Sequence, residues 1–107
     1  MAELVKVGRL ADIPVGSSTI VEVAGKTIAL FHCHDAFYAT ENTCPHRGGP
    51  LGKGSLAATT VTCPWHGWSF NVTSGACLVN PAVTLKTYAV TVEGEDLFVA
   101  LPDGVKS

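Results

Sequence analysis

Short segments rich in β-branched and aromatic residues alternate along the chain with glycine, proline and polar turn residues. Such a pattern predicts short β-strands joined by tight turns. Two pairs of segments have the form of β-hairpins: 18–24 with 27–31 around Gly25-Lys26, and 87–93 with 97–101 across Gly94. The second pair alternates with a period of two, and its predicted apolar faces consist of Tyr88, Val90 and Val92 and of Leu97, Val99 and Leu101.

Further β-rich segments lie between these hairpins. We predict strands at 37–41, 59–62, 70–72 and 76–79, the last two on either side of a turn at 73–75. No internal repeat, linker or long helical stretch interrupts them. The sequence therefore predicts an all-β fold, a small antiparallel sandwich or barrel.

Length and charge narrow the functional classes. A chain of 107 residues forms one domain, predicted here as 1–107, and leaves no room for a second, catalytic domain. A formal charge of −2 without a lysine or arginine cluster argues against nucleic acid as a partner. Neither a signal peptide at 1–10 nor an apolar run long enough to span a bilayer is present, so we expect no membrane partner and a cytoplasmic location.

Two short motifs carry the chemistry of the chain. Cys44 and His46 form Cys-x-His, Cys63 and His66 form Cys-x-x-His, and sixteen residues separate the two. Two thiolates and two imidazoles also satisfy a structural zinc ion. Zinc sites of this composition usually take both sulfurs from one arm and both nitrogens from the other, whereas each arm here is mixed. Structural zinc, and ordinary turns without metal, stay open as alternatives.

Mixed arms suit a binuclear iron cluster, because each loop gives sulfur to one iron and nitrogen to the other. Two ferric ions, two sulfides and two thiolates are neutral together, whereas four thiolates leave two negative charges. Neutral imidazoles therefore raise the reduction potential, to roughly −150 to +300 mV from about −400 mV in all-cysteine ferredoxins.

Segments 44–51 (CPHRGGPL) and 63–68 (CPWHGW) resemble the Rieske iron-sulfur motif. The stretches 10–16, 37–44 and 87–95 also resemble small Rieske ferredoxins, so the resemblance covers nearly the whole chain. It implies one Rieske-type 2Fe-2S cluster in a small subdomain, about 42–81, inserted in a β base.

In this family two cysteines hold the inner iron and two histidines the outer iron near the surface. The resemblance assigns the first role to Cys44 and Cys63 and the second to His46 and His66. Electrons are then expected to enter and leave through the histidines.

Departures from the family pattern point to a low-potential member. High-potential Rieske proteins join their loops by a disulfide and place serine and tyrosine hydroxyls near the cluster. This chain has Gly49 and Trp65 at the cysteine positions, and Trp68 and Phe70 at the hydroxyl positions. Hydrogen bonds to the cluster stabilise its reduced state, so their loss lowers the potential.

Four other cysteine and histidine residues need an interpretation. Cys33 and Cys77 are predicted to pack in the core, as free cysteines usually do; the alternatives are a disulfide or an approach of Cys77 to the cluster from a third loop. His32 and His34 flank Cys33 and are predicted at a strand end with their side chains in solvent, against the alternative of a second metal site.

The tryptophans and basic residues beside the motifs each allow two interpretations. Trp65 and Trp68 are predicted to pack around the cluster rather than to contact partners. Arg47 and Lys53 either steer an acidic partner or are solvated, and the sequence favours neither.

The resemblance implies an electron carrier rather than an enzyme. We expect a monomer that passes single electrons from an NAD(P)H-dependent flavoprotein reductase to a terminal aromatic-ring-hydroxylating oxygenase. The alternatives are the Rieske-like small subunit of an assimilatory nitrite reductase and, from another class, a zinc-stabilised binding module.

Overall fold

The computed structural model describes residues 3–23, 25–34, 36–43, 50–64, 67–80 and 82–101. These ranges contain nine strands and two 3-10 turns, with no α-helix and no helix long and apolar enough to cross a membrane. The strands are β1 (Glu3–Arg9), β2 (Ser18–Val23), β3 (Lys26–His32), β4 (Phe37–Glu41), β5 (Ser55–Ala57), β6 (Thr60–Thr62), β7 (Ser69–Asn71), β8 (Thr87–Glu93) and β9 (Asp96–Leu101). The turns are Leu10–Asp12 and Leu51–Lys53. The all-β prediction is confirmed.

Two antiparallel sheets make up the described part of the fold. Six strands in the order β1-β9-β8-β4-β3-β2 form a nearly closed barrel, in which the edge strands β1 and β2 approach each other. A smaller sheet, β5-β6-β7, lies between β4 and β8 in sequence. Its strands fall within 42–81, although the boundaries of that subdomain stay a prediction.

Strand β3 is buried on both faces and so joins two apolar clusters. Ile28 and Leu30 point into the barrel with Leu97 and Val99, all fully buried. The alternate residues Ala29 and Phe31, followed by Cys33, face the small sheet. Because successive side chains of a strand point to opposite faces, one strand couples the barrel to the layer that carries the predicted ligand loops.

The structure corrects three details of the predicted strands. Segment 76–79 forms only isolated bridges at Ala76 and Cys77, because its backbone turns toward 83–85 after Gly75. The first hairpin turns one residue earlier than predicted, since Val23 pairs with Lys26. Val92 is 48% exposed rather than buried, because burial decreases along β8 toward its turn.

Tyr88, which is only 7% exposed, predicts a loss of stability at alkaline pH. Burial, and secondarily the negative charge of Glu41, raises the pKa of Tyr88 above its ordinary value of 10.0. Above about pH 10 the folded protein therefore keeps a proton that the unfolded chain has lost, and the free energy of unfolding falls as pH rises through the raised pKa. Urea unfolding at about pH 9 and about pH 11 measures this fall.

Tyr88→Phe is the control for that experiment. It removes the titrating hydroxyl but keeps the ring, so the decrease in unfolding free energy should be smaller. An equal decrease in both proteins would assign the effect to other groups.

Candidate metal centre

The second ligand loop leaves the small sheet at Cys63. The Cys63 N–H donates to the carbonyl oxygen of Trp68 at 2.7 Å, and Thr62 pairs with Ser69 in the adjacent strands, so the loop closes tightly at its base. Gly67 has φ +74, a left-handed conformation that glycine adopts without strain. Cys63 is only 2% exposed. His66, the second predicted ligand of this loop, lies outside the described residues.

The first ligand loop is closed by Asn42 and its neighbours. Thr43 forms a bridge with Pro50, and the Leu51 N–H donates to the Asn42 carbonyl oxygen at 2.8 Å. The Asn42 side chain accepts a second hydrogen bond at 2.8 Å from the N–H of Gly52. The ends of this loop are therefore fixed, whereas Cys44 and His46 lie outside the described residues.

Asn42 is a positioning residue that the sequence did not reveal. It is polar and only 8% exposed, and its carboxamide satisfies a buried backbone N–H. An asparagine two positions before a cysteine has no distinctive spacing, and its partner at Gly52 lies ten residues away. Only the fold brings them together.

Both loop bases rest on the same apolar cluster. Leu51, at the end of the first loop, and Cys63, at the start of the second, are buried in one group with Phe31, Val61 and Phe70. Ligands on two separate loops need such a rigid common base, because ordering each loop without it costs additional conformational entropy. The structure thus places the bases of the two predicted ligand loops together.

The other two cysteines lie in that same cluster. Cys33 is 1% and Cys77 5% exposed, which confirms the prediction of core packing. Cys77 is not in a disulfide, so a Cys33–Cys77 bridge is excluded. Its Sγ accepts a hydrogen bond from the N–H of Asn80 at 3.3 Å.

His32 ends β3, as predicted, but the prediction that its side chain lies in solvent was wrong. Its ring is half-buried and stacks on Phe37 with centroids 3.8 Å apart, and its Nδ1 donates to the carbonyl oxygen of Ile13 at 2.6 Å. His34 is exposed, as predicted. Within the described residues, no group of three or more histidine, cysteine or acidic side chains is placed to hold a metal, so the structure gives a second metal site no support.

The residues around the loops separate into packed and exposed ones. Trp68 is partly buried against the apolar cluster, as predicted for a packing role, and Lys53 is exposed. Trp65 and Arg47 lie outside the described residues. Leu78 and Val79 are 58% and 56% exposed beside the second loop, where the Leu78 N–H donates to the Ser69 carbonyl oxygen at 2.8 Å.

Gly54 sets the contact between the end of the first loop region and the strand that leads to Cys63. A Cβ at Gly54 would overlap the carbonyl oxygen of Thr62. We expect Gly54→Ala to lower the free energy of unfolding by about 1–3 kcal/mol, measured by urea unfolding of the cluster-loaded protein.

Gly8→Ala is the matched control, since a Cβ there meets only Asp12 Oδ2, at 3.8 Å. Its effect should stay within about 0.5 kcal/mol. Equal effects of the two changes would mean that the close approach at Gly54 has no energetic weight.

Comparison with known proteins agrees with this arrangement. The Rieske [2Fe-2S] domain family matches residues 3–89. The chain belongs to this family. It is 36% identical over 93 residues to the ferredoxin component of the naphthalene 1,2-dioxygenase system of Pseudomonas aeruginosa, covering 86% of this chain and 89% of that protein. It is 38% identical over 96 residues to the 3-phenylpropionate/cinnamic acid dioxygenase ferredoxin subunit of Shigella boydii, covering 88% and 90%.

Solved structures share the Rieske fold. A chain from the complex of reduced oxygenase and oxidized ferredoxin in carbazole 1,9a-dioxygenase has a TM-score of 0.84 and 34% identity, with 91% of this chain and 92% of that one covered. A putative small subunit of an NADPH nitrite reductase has a TM-score of 0.83 and 27% identity, with 91% and 97% covered. The fold is therefore shared by dioxygenase ferredoxins and by the putative nitrite reductase small subunit, and sequence identity is higher to the dioxygenase ferredoxins.

Membership of the Rieske family implies one Rieske-type 2Fe-2S cluster. The described part of the site fits that group. Cys63 brings a thiol to the start of a tight loop above a dry apolar base, where its thiolate is the expected ligand of iron. The same loop carries an imidazole three residues on, and the other loop supplies a second thiol and imidazole.

Proposed function

We propose that this protein is a one-electron carrier that links an NAD(P)H-dependent flavoprotein reductase to a terminal aromatic-ring-hydroxylating oxygenase. One observation supports the proposal above all: identity of 36–38% to dioxygenase ferredoxins across nearly nine-tenths of the chain. The protein catalyses no bond-making step itself. A monomer in the cytoplasm is part of the proposal.

The proposed ligands are Cys44 and Cys63 for one iron and His46 and His66 for the other. When bound, the cluster supplies a site that accepts and returns one electron. The chain holds the two loops in fixed positions through Asn42 and through the Cys63–Trp68 hydrogen bond. A fixed geometry reduces the rearrangement that accompanies each change of charge.

Buried apolar residues under the loops exclude water from the inner side of the site. Leu51, Val61 and Phe70 are fully buried there, and Cys63 nearly so. Such a shell lowers the local dielectric constant and thereby influences the potential. Leu78 and Val79 leave an exposed apolar surface beside the second loop, which suits the small and transient interfaces of redox encounters.

Electron transfer in a reconstituted system tests the proposal. The purified protein should be reduced by NAD(P)H through a flavoprotein reductase of a dioxygenase system, and then support product formation by the terminal oxygenase. Omission of this protein should abolish product formation. Reduction without any transfer to an oxygenase would reject the proposed role.

The two alternatives give different results. Copurification with a large haem flavoprotein would favour the nitrite reductase small subunit, for which the shared fold is the supporting observation. A colourless protein with a single zinc ion would favour the binding module. A red-brown protein that bleaches with dithionite is expected instead.

The midpoint potential is expected near the negative end of the Rieske range, at about −150 mV. At one of the positions where high-potential members carry a hydroxyl this chain has Phe70, which is fully buried and donates no hydrogen bond from its side chain. Redox titration followed by visible absorbance measures the potential. A midpoint well above zero would contradict this reasoning.

A further inference from the structure

A polar surface pocket of about 340 Å³ adjoins the base of the first ligand loop. It lies where the β2–β3 turn, the end of β4 and the start of β8 meet. Two lysines, Lys26 and Lys86, line it together with Glu41, Thr43 and Tyr88. Thr43 directly precedes Cys44 in the sequence, so the pocket adjoins the point where the chain enters the proposed first ligand loop.

Backbone hydrogen bonds make the floor of this pocket rigid. The Glu41 N–H donates to the Lys86 carbonyl oxygen at 2.9 Å, and the Lys86 N–H donates to Glu41 Oε2 at 2.7 Å. The Asn42 N–H donates to the Thr27 carbonyl oxygen at 3.2 Å, which ties the same segment to β3. Lys26, the first residue of β3, and Lys86, directly before β8, are thus held on segments that cannot separate easily.

Among the described residues, no ion pair neutralises the positive charge at this pocket. In the described ranges the ion pairs are Lys6 with Asp96 at 3.3 Å and Arg9 with Glu95 at 2.9 Å, both where β1 meets β9. Lys26 and Lys86 take part in neither. Glu41 is the acidic residue of the pocket, so two lysines against one carboxylate leave one net positive charge.

We propose that the Lys26–Lys86 pocket receives an acidic side-chain cluster of the flavoprotein reductase and so seats the electron donor beside the first ligand loop. This inference rests on the proposed function and names the surface used in its first step. Opposite charges steer encounter and fix orientation more than they add affinity.

The change in the carrier's charge on reduction favours the electron donor, rather than the electron acceptor, as the acidic partner at this pocket. Reduction adds one negative charge to the protein, so an acidic partner binds the oxidised form more tightly than the reduced form. A reductase that meets this pocket therefore captures the oxidised carrier and releases it after the electron has moved. An acidic oxygenase would instead retain the spent carrier.

Charge-reversal variants test the proposal by stopped-flow reduction with a dioxygenase-system reductase that reduces the wild-type protein. At about 0.01 M ionic strength, K26E/K86E should be reduced about tenfold more slowly, and the deficit should shrink at about 0.15 M as the Debye length falls from about 30 Å to about 8 Å. Glu41→Gln keeps an oxygen acceptor for the Lys86 N–H and should accelerate reduction about twofold.

Lys6→Glu is the matched control for the single reversal Lys26→Glu, because both make the same charge change and Lys6 lies at the β1–β9 pairing rather than at the pocket. Its reduction rate should stay within about twofold of wild type. Isothermal titration of the reductase with each redox form gives a second readout, and the oxidised carrier should bind more tightly. Cluster absorbance and thermal unfolding confirm that each variant is folded, and K26Q/K86Q replaces the double reversal if it does not fold.

Three results would overturn the proposal. Equal slowing by K6E and K26E would mean that only net charge matters, and unchanged rates would mean that the pocket is not used. Slowing of transfer to the oxygenase alone would place the acceptor here. Failure of any reductase to reduce the wild-type protein would instead reject the proposed function itself.

Discussion

Cys63→Ala is expected to abolish binding of the 2Fe-2S cluster, whereas Cys77→Ala leaves it bound. Both residues are buried in one apolar cluster, at 2% and 5% exposure, so the two changes remove the same atoms from similar surroundings. Only Cys63 begins a closed loop that also carries a histidine. Iron and acid-labile sulfide content, together with visible absorbance, measure the difference.

The Cys77→Ala protein controls for the loss of a buried thiol. It loses the acceptor of the Asn80 N–H and some packing, so a decrease in stability of about 1–3 kcal/mol is expected without loss of iron. Circular dichroism should show that both variants keep the β fold. Loss of iron from folded Cys77→Ala would make Cys77 a ligand from a third loop, and retention of iron by Cys63→Ala would refute the proposed ligand set.

Strands with a regular alternation were predictable from sequence, and strands whose pattern is interrupted were not. Strand β4 begins and ends where the sequence predicted, and the β8–β9 hairpin turns at Gly94. Strand β1 was missed. Its register with β9 shifts between Lys6 and Gly8, and Leu4 is exposed whereas Val5 packs against the barrel core, so apolar residues lie on both faces and hide the alternation in the sequence.

The small sheet shows a second limit of sequence patterns. Strand β5 was not predicted, and its hairpin with β6 turns through Ala58, a non-glycine residue with φ +54. Two-residue hairpin turns with a positive φ normally contain glycine or asparagine, which makes them recognisable in the sequence. Alanine at this position hides the turn, and the energetic cost of the conformation is met by the pairing of β5 with β6.

The ligand motifs were readable because their chemistry requires particular residue types at fixed spacing. Their supports were not readable, because Asn42, Gly52 and Gly54 act through contacts with distant segments. Lys26 and Lys86 are sixty residues apart and meet only after β3, β4 and β8 have paired. Sequence thus predicts the donors of the site, whereas the fold shows what holds the bases of the two loops and what surrounds them.

His66→Cys is expected to lower the midpoint potential from the Rieske range toward about −400 mV, provided that the cluster still assembles. A thiolate in place of a neutral imidazole adds one negative charge to both redox states of the site. Adding a further electron then becomes less favourable, because repulsion acts across a site whose inner side is dry. Redox titration by visible absorbance and electron paramagnetic resonance measures the shift.

The matched control is His34→Cys, which makes the same chemical change at an exposed histidine outside both motifs. Its midpoint should equal that of the wild-type protein, so that a shift seen only in His66→Cys is due to the ligand and not to an added thiol. If both variants keep the wild-type midpoint while holding two irons, then His66 is not a ligand. The expected path of electrons through the histidines would then have to be assigned to other residues.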